Sequence, residues 1–278
     1  MDKRVKVAVN VILALGGGAL LAVLDGRSPD AKTWLSGWLV YSLLLGATGV
    51  TLNGVLRQVQ ASRGVRRAAW TAFLLRLGVG LALVWLLPTY GYAENEASQA
   101  GYLFKDAAIR DQRAWILAGS ETPLWEAFSG DLSGDQYGGL LALSAAVYRY
   151  LSPAAHRPLL IVLLAGWAVG LGVALLWAAA RRWFEGGEVA GNLIPGASAW
   201  VMALYPEGVL LGASQMREPF AMAAIAACFY GLAEVSGREE SLPHPQPFSQ
   251  GERGGRVSPR RRGLCLPRGW AALGVGLA

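Results

Sequence analysis

Residues 77–102 read LGVGLALVWLLPTYGYAENEASQAGY, an apolar run that ends at a proline and gives way to a short polar segment. With the residues before it, the apolar run is long enough to cross the hydrocarbon core of a membrane, which needs about 20 residues of α-helix. The polar segment carries two glutamates, Glu94 and Glu96. The stretch therefore predicts a membrane helix followed by an acidic segment outside the bilayer.

The composition of the whole chain favours the same environment. Of its 278 residues, 54% are hydrophobic and only 16% are charged, whereas about a quarter of a soluble domain is charged. The formal net charge is +6, but the basic residues occur in clusters, and in a membrane protein such clusters set the orientation of the helices. We therefore expect membrane lipid, and no nucleic acid, as a partner. The two cysteines imply no disulfide framework.

Six segments have the length and apolar character of a membrane span. They are residues 5–24, 34–56, 68–88, 158–180, 188–205 and 219–235. The first has no small-residue cleavage site before its charged end, and we interpret it as an uncleaved membrane helix. The predicted fold is an all-α, polytopic transmembrane helical bundle with amphipathic juxtamembrane helices in a long outer loop.

On this interpretation the chain divides into four parts. Residues 1–67 form two N-terminal transmembrane helices and a basic cytoplasmic loop, and residues 68–235 form a transmembrane core with an outer loop at 89–157. Residues 236–268 are rich in Pro, Gly, Ser and Arg without periodicity, which predicts a flexible cytoplasmic loop. Residues 269–278 have the character of the start of a truncated transmembrane helix.

The basic clusters orient these helices, because Lys and Arg concentrate in cytoplasmic loops. The N-terminus of this multi-pass protein of the cell membrane is predicted to be cytoplasmic, and segment 89–157 is then outside. The later clusters return to the cytoplasm only if segment 138–151 lies along the outer surface instead of crossing. The basic residues that carry this argument are Lys3, Arg4, Lys6, Arg57, Arg63, Arg66, Arg67, Arg181, Arg182 and the arginines of 236–268.

Two segments of the outer loop have helical patterns of their own. Segment 97–117 is predicted to be one amphipathic helix, with Asp106 and Arg110 placed for an ion pair on its polar face. Its apolar stripe consists of Ala100, Leu103, Phe104, Ala107 and Ala108. Segment 138–151 is predicted to be a second surface helix. The residues expected to face lipid in it are Leu140, Leu143, Val147 and Leu151.

Acidic residues of the outer loop are the first candidates for chemistry. The set consists of Glu94, Glu96, Asp106, Asp131 and Asp135. An acidic residue at the start of a helix interacts favourably with the helix dipole, which gives one glutamate a structural role. Paired acidic groups at a membrane face also suit an acceptor hydroxyl that must lose a proton as it attacks an electrophile. Both interpretations stay open at this point.

Four stretches within 68–235 occur in a suggestive order. They read ENEASQAGYLFKDA, GDQYGGLLALSAAVYRYLSPAAHRPLL, LLWAAARRWFEGGEVAG and ALYPEGVLLGASQMREPFAM. An acidic pair follows a span, a polar turn precedes an apolar surface helix, a span ends in Arg-Arg-aromatic, and a proline-containing segment carries charges ahead of the next span. This order resembles the N-terminal portion of a GT-C superfamily membrane glycosyltransferase, of the protein mannosyltransferase and aminoarabinose transferase type.

The resemblance implies an integral membrane glycosyltransferase. Such enzymes move a sugar from a polyprenyl-phosphate donor to an acceptor glycan, lipid or protein on the non-cytoplasmic face. The catalytic base, or the group that positions the acceptor, is an acidic residue of the first large outer loop. Here this implies Glu96 and, because Asn95 stands where the family often has aspartate, equally Glu94. No cofactor is certain, and a divalent metal held by the outer carboxylates is compatible with the sequence.

Charge that develops on a leaving phosphate requires Arg or Lys nearby. The predicted topology puts Arg149, Arg157 and Arg217 on the outer side. The candidates for substrate binding are Asp135, Tyr137, Arg217 and Glu218. They have structural alternatives, because the segment with Asp135 suits a turn and Glu218 suits the first turn of a helix.

Other functions compete with the enzyme. Arg76 lies inside the third predicted span, where an ionisable group is a functional candidate, although its side chain can also reach back to the cytoplasmic face. A polytopic membrane transporter subunit would place charges at that depth. An inactive truncated membrane protein is the third alternative. His156 and His244 show no metal-ligand spacing.

Overall fold

The computed structural model describes residues 3–26, 30–92, 94–129, 138–184 and 190–239. Within these residues the chain is all-helical, as predicted, and contains no strand. The helices are α1 Lys3–Leu24, α2 Ala31–Gln58, α3 Arg63–Tyr90, α4 Glu96–Gln99, α5 Lys105–Gly119, a 3-10 helix Leu124–Phe128, α6 Gly138–Leu151, α7 Leu159–Trp183, α8 Ala190–Leu204, α9 Pro206–Ala213 and α10 Glu218–Glu239.

Four of these helices are long and apolar enough to cross a membrane, which indicates a membrane protein. They are Ala31–Gln58, Arg63–Tyr90, Leu159–Trp183 and Glu218–Ser236. Two further predicted spans fall on α1 and α8, whose apolar parts, Ala8–Leu24 and Leu193–Leu204, are shorter. Because α10 runs to Glu239, the beginning of the range 236–268 is helical and not a loop. The rest of that range, and residues 269–278, lie outside the described residues.

Helix α7 is the central element. Apolar residues occur on all sides of this helix, and 72% of its most apolar 18-residue stretch is buried. Glycines on its surface allow close approach to α3: a β-carbon at Gly166 would lie 3.2 Å from the Phe73 carbonyl oxygen, and one at Gly170 would lie 3.2 Å from that of Ala69. The two helices are therefore antiparallel.

This antiparallel packing gives the bundle two chemically different ends. One end, called the arginine end, contains the N-terminus of α3 and the C-termini of α2 and α7. Its arginines are Arg57, Arg63, Arg66, Arg67, Arg181 and Arg182. The C-terminus of α3 and the N-terminus of α7 lie at the opposite end, called the carboxylate end, with α4 and α5. Trp85 Nε1 donates to the Leu24 carbonyl oxygen at 2.8 Å, so α1 ends at the carboxylate end as well.

The predicted helix over 97–117 is wrong, because the chain turns in its middle. Gly101 has a φ of +86°, which favours glycine, and the amide of Tyr102 donates to the Ala97 carbonyl oxygen at 2.8 Å. This is the hydrogen-bond pattern that ends a helix, so α4 stops and α5 starts afresh. Arg110 does not lie on a solvated face, because its side chain is buried and donates to the Gln215 carbonyl oxygen.

Helix α6 coincides with predicted segment 138–151, and its 14 residues are too few to cross a membrane. The lipid-facing stripe is wrong for Leu140 and Val147, which are 8% and 6% exposed. The physical reason is that α6 packs on α5 and the 3-10 helix, so its apolar face is covered by protein. Leu143, at 38% exposed, is the stripe residue that stays open.

The predicted span at 188–205 coincides with α8, which has only 15 residues and ends where the span was predicted to end. Helix α8 ends at Leu204, and α9 begins at Pro206 and continues in the chain toward the carboxylate end. Arg76 binds the C-terminal turn of α8. Its guanidinium donates to the carbonyl oxygens of Ala203 at 3.0 Å and Met202 at 3.3 Å. Arg76 is completely buried, so its side chain does not reach back to either surface. It satisfies the carbonyl groups that the end of α8 leaves without helical partners.

The close packing of α1 on α2 can be tested by mutation. A β-carbon at Gly18 would lie 2.7 Å from the Ser42 amide nitrogen, whereas one at Gly16 would meet nothing within 4 Å. We expect Gly18→Val to lower the free energy of unfolding by about 1–3 kcal/mol, because the backbones must move apart. Gly16→Val makes the same change in helix propensity and is the control. Urea unfolding in mild detergent measures both, and equal effects would contradict the packing.

Candidate functional site

A cavity of ≈ 830 Å³ opens at the carboxylate end, between α4, α5 and the segment that leads into α7. It is lined by Glu94, Asn95, Glu96, Ala97, Ala100, Tyr102, Lys105, Ala108, Ile109, Gln112, Trp115 and His156. Both glutamates that the sequence singled out therefore line one cavity. Carboxylate, ammonium, amide, imidazole and indole groups converge there.

Local structure explains why the two glutamates stand at the cavity. Asn95 caps α4, since its side-chain oxygen accepts a hydrogen bond from the Ala97 amide at 3.1 Å. Glu94 and Glu96 flank this cap and are both exposed. Neither carboxylate has a hydrogen bond or ion pair with another described residue, so both are able to contact a bound molecule.

Behind the cavity lies a buried carboxylate, Asp111, which is 2% exposed. The hydroxyl groups of Tyr102 and Tyr148 both donate to it. His156 Nε2 lies 2.6 Å from Asp111 Oδ2. A carboxylate that accepts from three donors is well compensated for its burial, and it fixes the orientation of the His156 ring.

Aromatic rings complete the support of His156. Trp115 stacks on the imidazole with 5.1 Å between ring centroids and an interplanar angle of 23°. Tyr148 meets the imidazole edge-on at 4.9 Å. Because the carboxylate accepts from Nε2, that nitrogen carries the proton, and Nδ1 is the ring nitrogen left to act as an acceptor. The His156 side chain is 20% exposed, so the cavity has access to the ring.

The hydrogen bond from Tyr148 is retained over a wide pH range. Burial, and then the neighbouring Asp111 carboxylate, raise the pKa of Tyr148 well above its usual value. The neutral phenol is therefore the form that the folded protein favours. Its stabilisation is fully present below the ordinary tyrosine pKa of about 10 and is lost as the pH rises through the folded value. Tyr148 thus supports Asp111 at every physiological pH.

The other sequence candidates lie elsewhere. Arg217 and Glu218 sit at the start of α10, with Arg217 Nε 3.8 Å from Glu218 Oε1, and neither lines the cavity. Glu218 occupies the first turn of α10, which is the structural role considered for it. Asp131, Asp135 and Tyr137 lie outside the described residues, so their assignment stays a prediction.

Two of the three arginines considered for a phosphate have structural roles. Arg149 donates to the carbonyl oxygens of Ser120 at 3.0 Å and Thr122 at 2.8 Å, at the end of α5. Arg157 is completely buried and donates to the Thr33 carbonyl oxygen at 2.6 Å. Lys105, at the first position of α5, is the cation of the cavity lining.

Sequence reasoning missed the buried half of this site. Asp111 was absent from the acidic candidates, and His156 was considered only as a metal ligand. The two residues are 45 positions apart, so no local pattern joins them. The described residues contain no group of three or more His, Cys, Asp or Glu side chains placed to hold a metal ion. The possible metal therefore has no further support from this part of the chain.

Comparison with known proteins gives no family or function for this chain. No protein-family model, no curated protein and no solved structure matches this chain. The resemblance to GT-C glycosyltransferases therefore rests on the sequence stretches alone, and the function is inferred from the geometry of the cavity.

Proposed function

We propose that this protein is a membrane glycosyltransferase that moves a sugar from a polyprenyl-phosphate donor to an acceptor hydroxyl at the carboxylate end. The observation that carries the proposal is the cavity itself. It brings Glu94 and Glu96, chosen from sequence as acceptor-binding or catalytic groups, together with a cation and an Asp-supported histidine. Cavities with a few convergent polar groups are typical of sites for small substrates.

The reaction requires one base. The acceptor oxygen attacks the anomeric carbon, the bond from that carbon to the donor phosphate breaks, and the polyprenyl phosphate leaves with the electron pair. The acceptor proton passes to His156 Nδ1, because His156 is the base that the fold holds in a fixed orientation. Glu94 and Glu96, exposed at the rim, accept hydrogen bonds from acceptor hydroxyls. The alternative, predicted from the sequence, is that one of them is the base.

Two further groups of the lining fit the donor. Lys105 offers an ammonium group to the charge that develops on the leaving phosphate. Trp115 contributes an aromatic surface beside His156, and apolar sugar faces pack on such surfaces. The departing phosphate is already a good leaving group, so the site needs no separate acid, in contrast to glycoside hydrolysis.

The proposed orientation follows from the two ends of the bundle. Of the basic clusters predicted to be cytoplasmic, those within the described residues occur at one end, and the cavity occurs at the other. With the arginine end in the cytoplasm, the N-terminus is cytoplasmic and the cavity faces the outer side. A polyprenyl chain in the outer leaflet would then present its phosphate-linked sugar at the level of the cavity.

The proposal is tested by transfer of radiolabelled sugar from polyprenyl-phosphate donors in membranes that contain the full chain. Glu94→Gln and Glu96→Gln are each expected to lower transfer about 10- to 100-fold, the loss of a hydrogen bond to a charged group. Glu121→Gln is the matched control, since Glu121 is exposed beyond the end of α5 and does not line the cavity. Absence of transfer by the wild type with every donor would refute the enzyme.

A transporter subunit is the second candidate, and the interrupted crossing of α8 and α9 favours it. Transporters use broken membrane helices with charged groups at mid-depth, and Arg76 binds the C-terminus of α8 inside the bundle. The same membranes distinguish the two functions. Movement of the lipid-linked sugar across sealed vesicles without its transfer to an acceptor would favour the transporter.

A further inference from the structure

The two glutamates of the cavity lie on a short segment, residues 94–102, which we call the acidic wall. It contains α4, the turn at Gly101 and, as its last residue, Tyr102. The wall and the His156 side chain line the same cavity from distant parts of the chain. In the proposed reaction the wall binds the acceptor and His156 takes the acceptor proton, so the two must be held at a fixed distance.

The acidic wall has little structure of its own to hold it there. Helix α4 has four residues, and an isolated helix of that length is unstable in water. The described backbone hydrogen bonds of the wall, such as the one from the Tyr102 amide to the Ala97 carbonyl oxygen, join residues that are close in sequence. The buried apolar cluster behind the wall is Ala97, Tyr102 and Ala107. Because two of the three are alanines, this cluster buries little apolar area.

The Tyr102 side chain links the acidic wall to the buried carboxylate. It is 8% exposed, and its hydroxyl donates to Asp111 Oδ2. The same oxygen lies 2.6 Å from His156 Nε2. Tyr148 of α6 donates to the other carboxylate oxygen, Oδ1. The wall and the imidazole are therefore bound to one and the same oxygen atom, whereas Tyr148 supports the carboxylate from the opposite side.

Gly101 makes this link possible. Its φ of +86° lies in the left-handed region that favours glycine. A β-carbon at this position would lie 3.1 Å from Val84 Cα of α3. The chain therefore reverses close against α3 immediately before Tyr102, which lies nine positions before Asp111.

We propose that Tyr102 is a positioning residue, which holds the acidic wall at a fixed distance from His156 through the Asp111 oxygen that they share. Because the groups held together are those of the proposed reaction, this role rests on the proposed function. A hydrogen bond to a carboxylate is among the stronger hydrogen bonds in proteins. A displacement of about 1 Å between reacting groups can lower a rate about 100-fold, so even a small movement of the wall matters.

The kinetic test uses Tyr102→Phe, which keeps the ring and removes the hydroxyl. In the transfer assay it should lower kcat about tenfold and change the acceptor KM less than about twofold. The reason is that Glu94 and Glu96 still bind the acceptor but no longer hold it beside the base. Tyr148→Phe is the matched variant, since it takes one hydroxyl from the same carboxylate and leaves the wall attached. An equal fall in kcat for both variants would show that Tyr102 only supports Asp111, and would overturn the proposal.

A second measurement does not depend on transfer. A spin label attached to Gln99→Cys reports the motion of the acidic wall, because Gln99 is exposed on α4 and does not line the cavity. Replacing Cys228 and Cys265 with serine leaves the full chain with one labelled position. Tyr102→Phe should increase the mobility of this label in mild detergent, and Tyr148→Phe should leave it at the wild-type value.

A label at Ile116→Cys controls for general loosening, since Ile116 is an exposed residue of α5 outside the cavity lining. The proposal fails if Tyr102→Phe leaves the Gln99 label unchanged, or if it mobilises the Ile116 label to the same extent. The two measurements also separate this role from the enzyme itself. Absence of transfer by the wild type would refute the proposed function, whereas the label still decides whether Tyr102 holds the wall.

Discussion

Replacing His156 with alanine is expected to lower glycosyl transfer by about 10²- to 10⁴-fold, the usual contribution of a positioned general base. His156 has the strongest structural support among the ionisable groups of the cavity. Its Nε2 lies 2.6 Å from Asp111 Oδ2, and its ring is stacked on Trp115. The loss is measured with the radiolabelled donor in membranes that contain equal amounts of each variant.

Three measurements distinguish a catalytic role of His156 from a structural one. The results below are those expected if His156 is the base. First, the temperature of unfolding of His156→Ala should stay close to that of the wild type, because Asp111 keeps its two tyrosine donors. Second, added imidazole should restore part of the transfer, since it can occupy the space of the lost ring and accept the proton. Third, the pH–rate profile should lose its acid limb.

Asp111→Asn is the matched variant for the positioning group. It keeps the shape of the side chain but removes the charge that favours the Nε2-protonated ring. We expect a smaller loss than for His156→Ala and no rescue by imidazole. If His156→Ala transfers at the wild-type rate while Glu94→Gln or Glu96→Gln is inactive, the base is a glutamate.

The helices and the rim of the cavity were accessible from sequence because they depend on local patterns. Long apolar runs predicted the four helices able to cross a membrane, since burying the backbone in hydrocarbon forces it into helices. Glu94 and Glu96 were found because they follow such a run directly. In both cases neighbouring residues in the sequence carry the information.

The buried half of the site depends on tertiary contacts, which local patterns do not encode. Asp111 lies on α5 and His156 in the segment between α6 and α7, and the packing of α5 on α6 brings the two side chains together. The same cause explains two errors, since Leu140 and Val147 are covered by protein and not by lipid. Gly101 gave a local signal for the break between α4 and α5, but the helical spacing of apolar residues on both sides concealed it.

Replacing Arg157 with methionine is expected to lower the free energy of unfolding by about 3–5 kcal/mol, because it removes the guanidinium that lies beside a buried carboxylate. Arg157 Nε lies 3.6 Å from Asp25 Oδ2, and the two side chains are 0% and 1% exposed. Arg157 also donates to the Thr33 carbonyl oxygen at 2.6 Å. The pair thus joins the α1–α2 turn to the segment before α7.

The double variant Asp25→Asn with Arg157→Met separates the cost of removing one charge of the pair from the loss of packing. Removing both charges should recover much of the stability, since a buried ion pair replaced as a whole is often nearly neutral. Arg63→Met, at an exposed position, is the control for loss of an arginine and should change stability by less than about 0.5 kcal/mol. Urea unfolding in mild detergent measures all three.

The same substitution connects stability to the site, because Arg157 follows His156 directly in the chain. Without the Arg157 side chain, the backbone beside the imidazole loses its hydrogen bond to Thr33 of α2. His156 should then lose part of its fixed geometry with Asp111. We therefore expect Arg157→Met to lower transfer under conditions in which the protein remains folded, and the double variant to transfer less than the wild type although it is nearly as stable. Wild-type transfer by a folded Arg157→Met variant would show that the Asp111 carboxylate and the Trp115 ring alone hold the histidine.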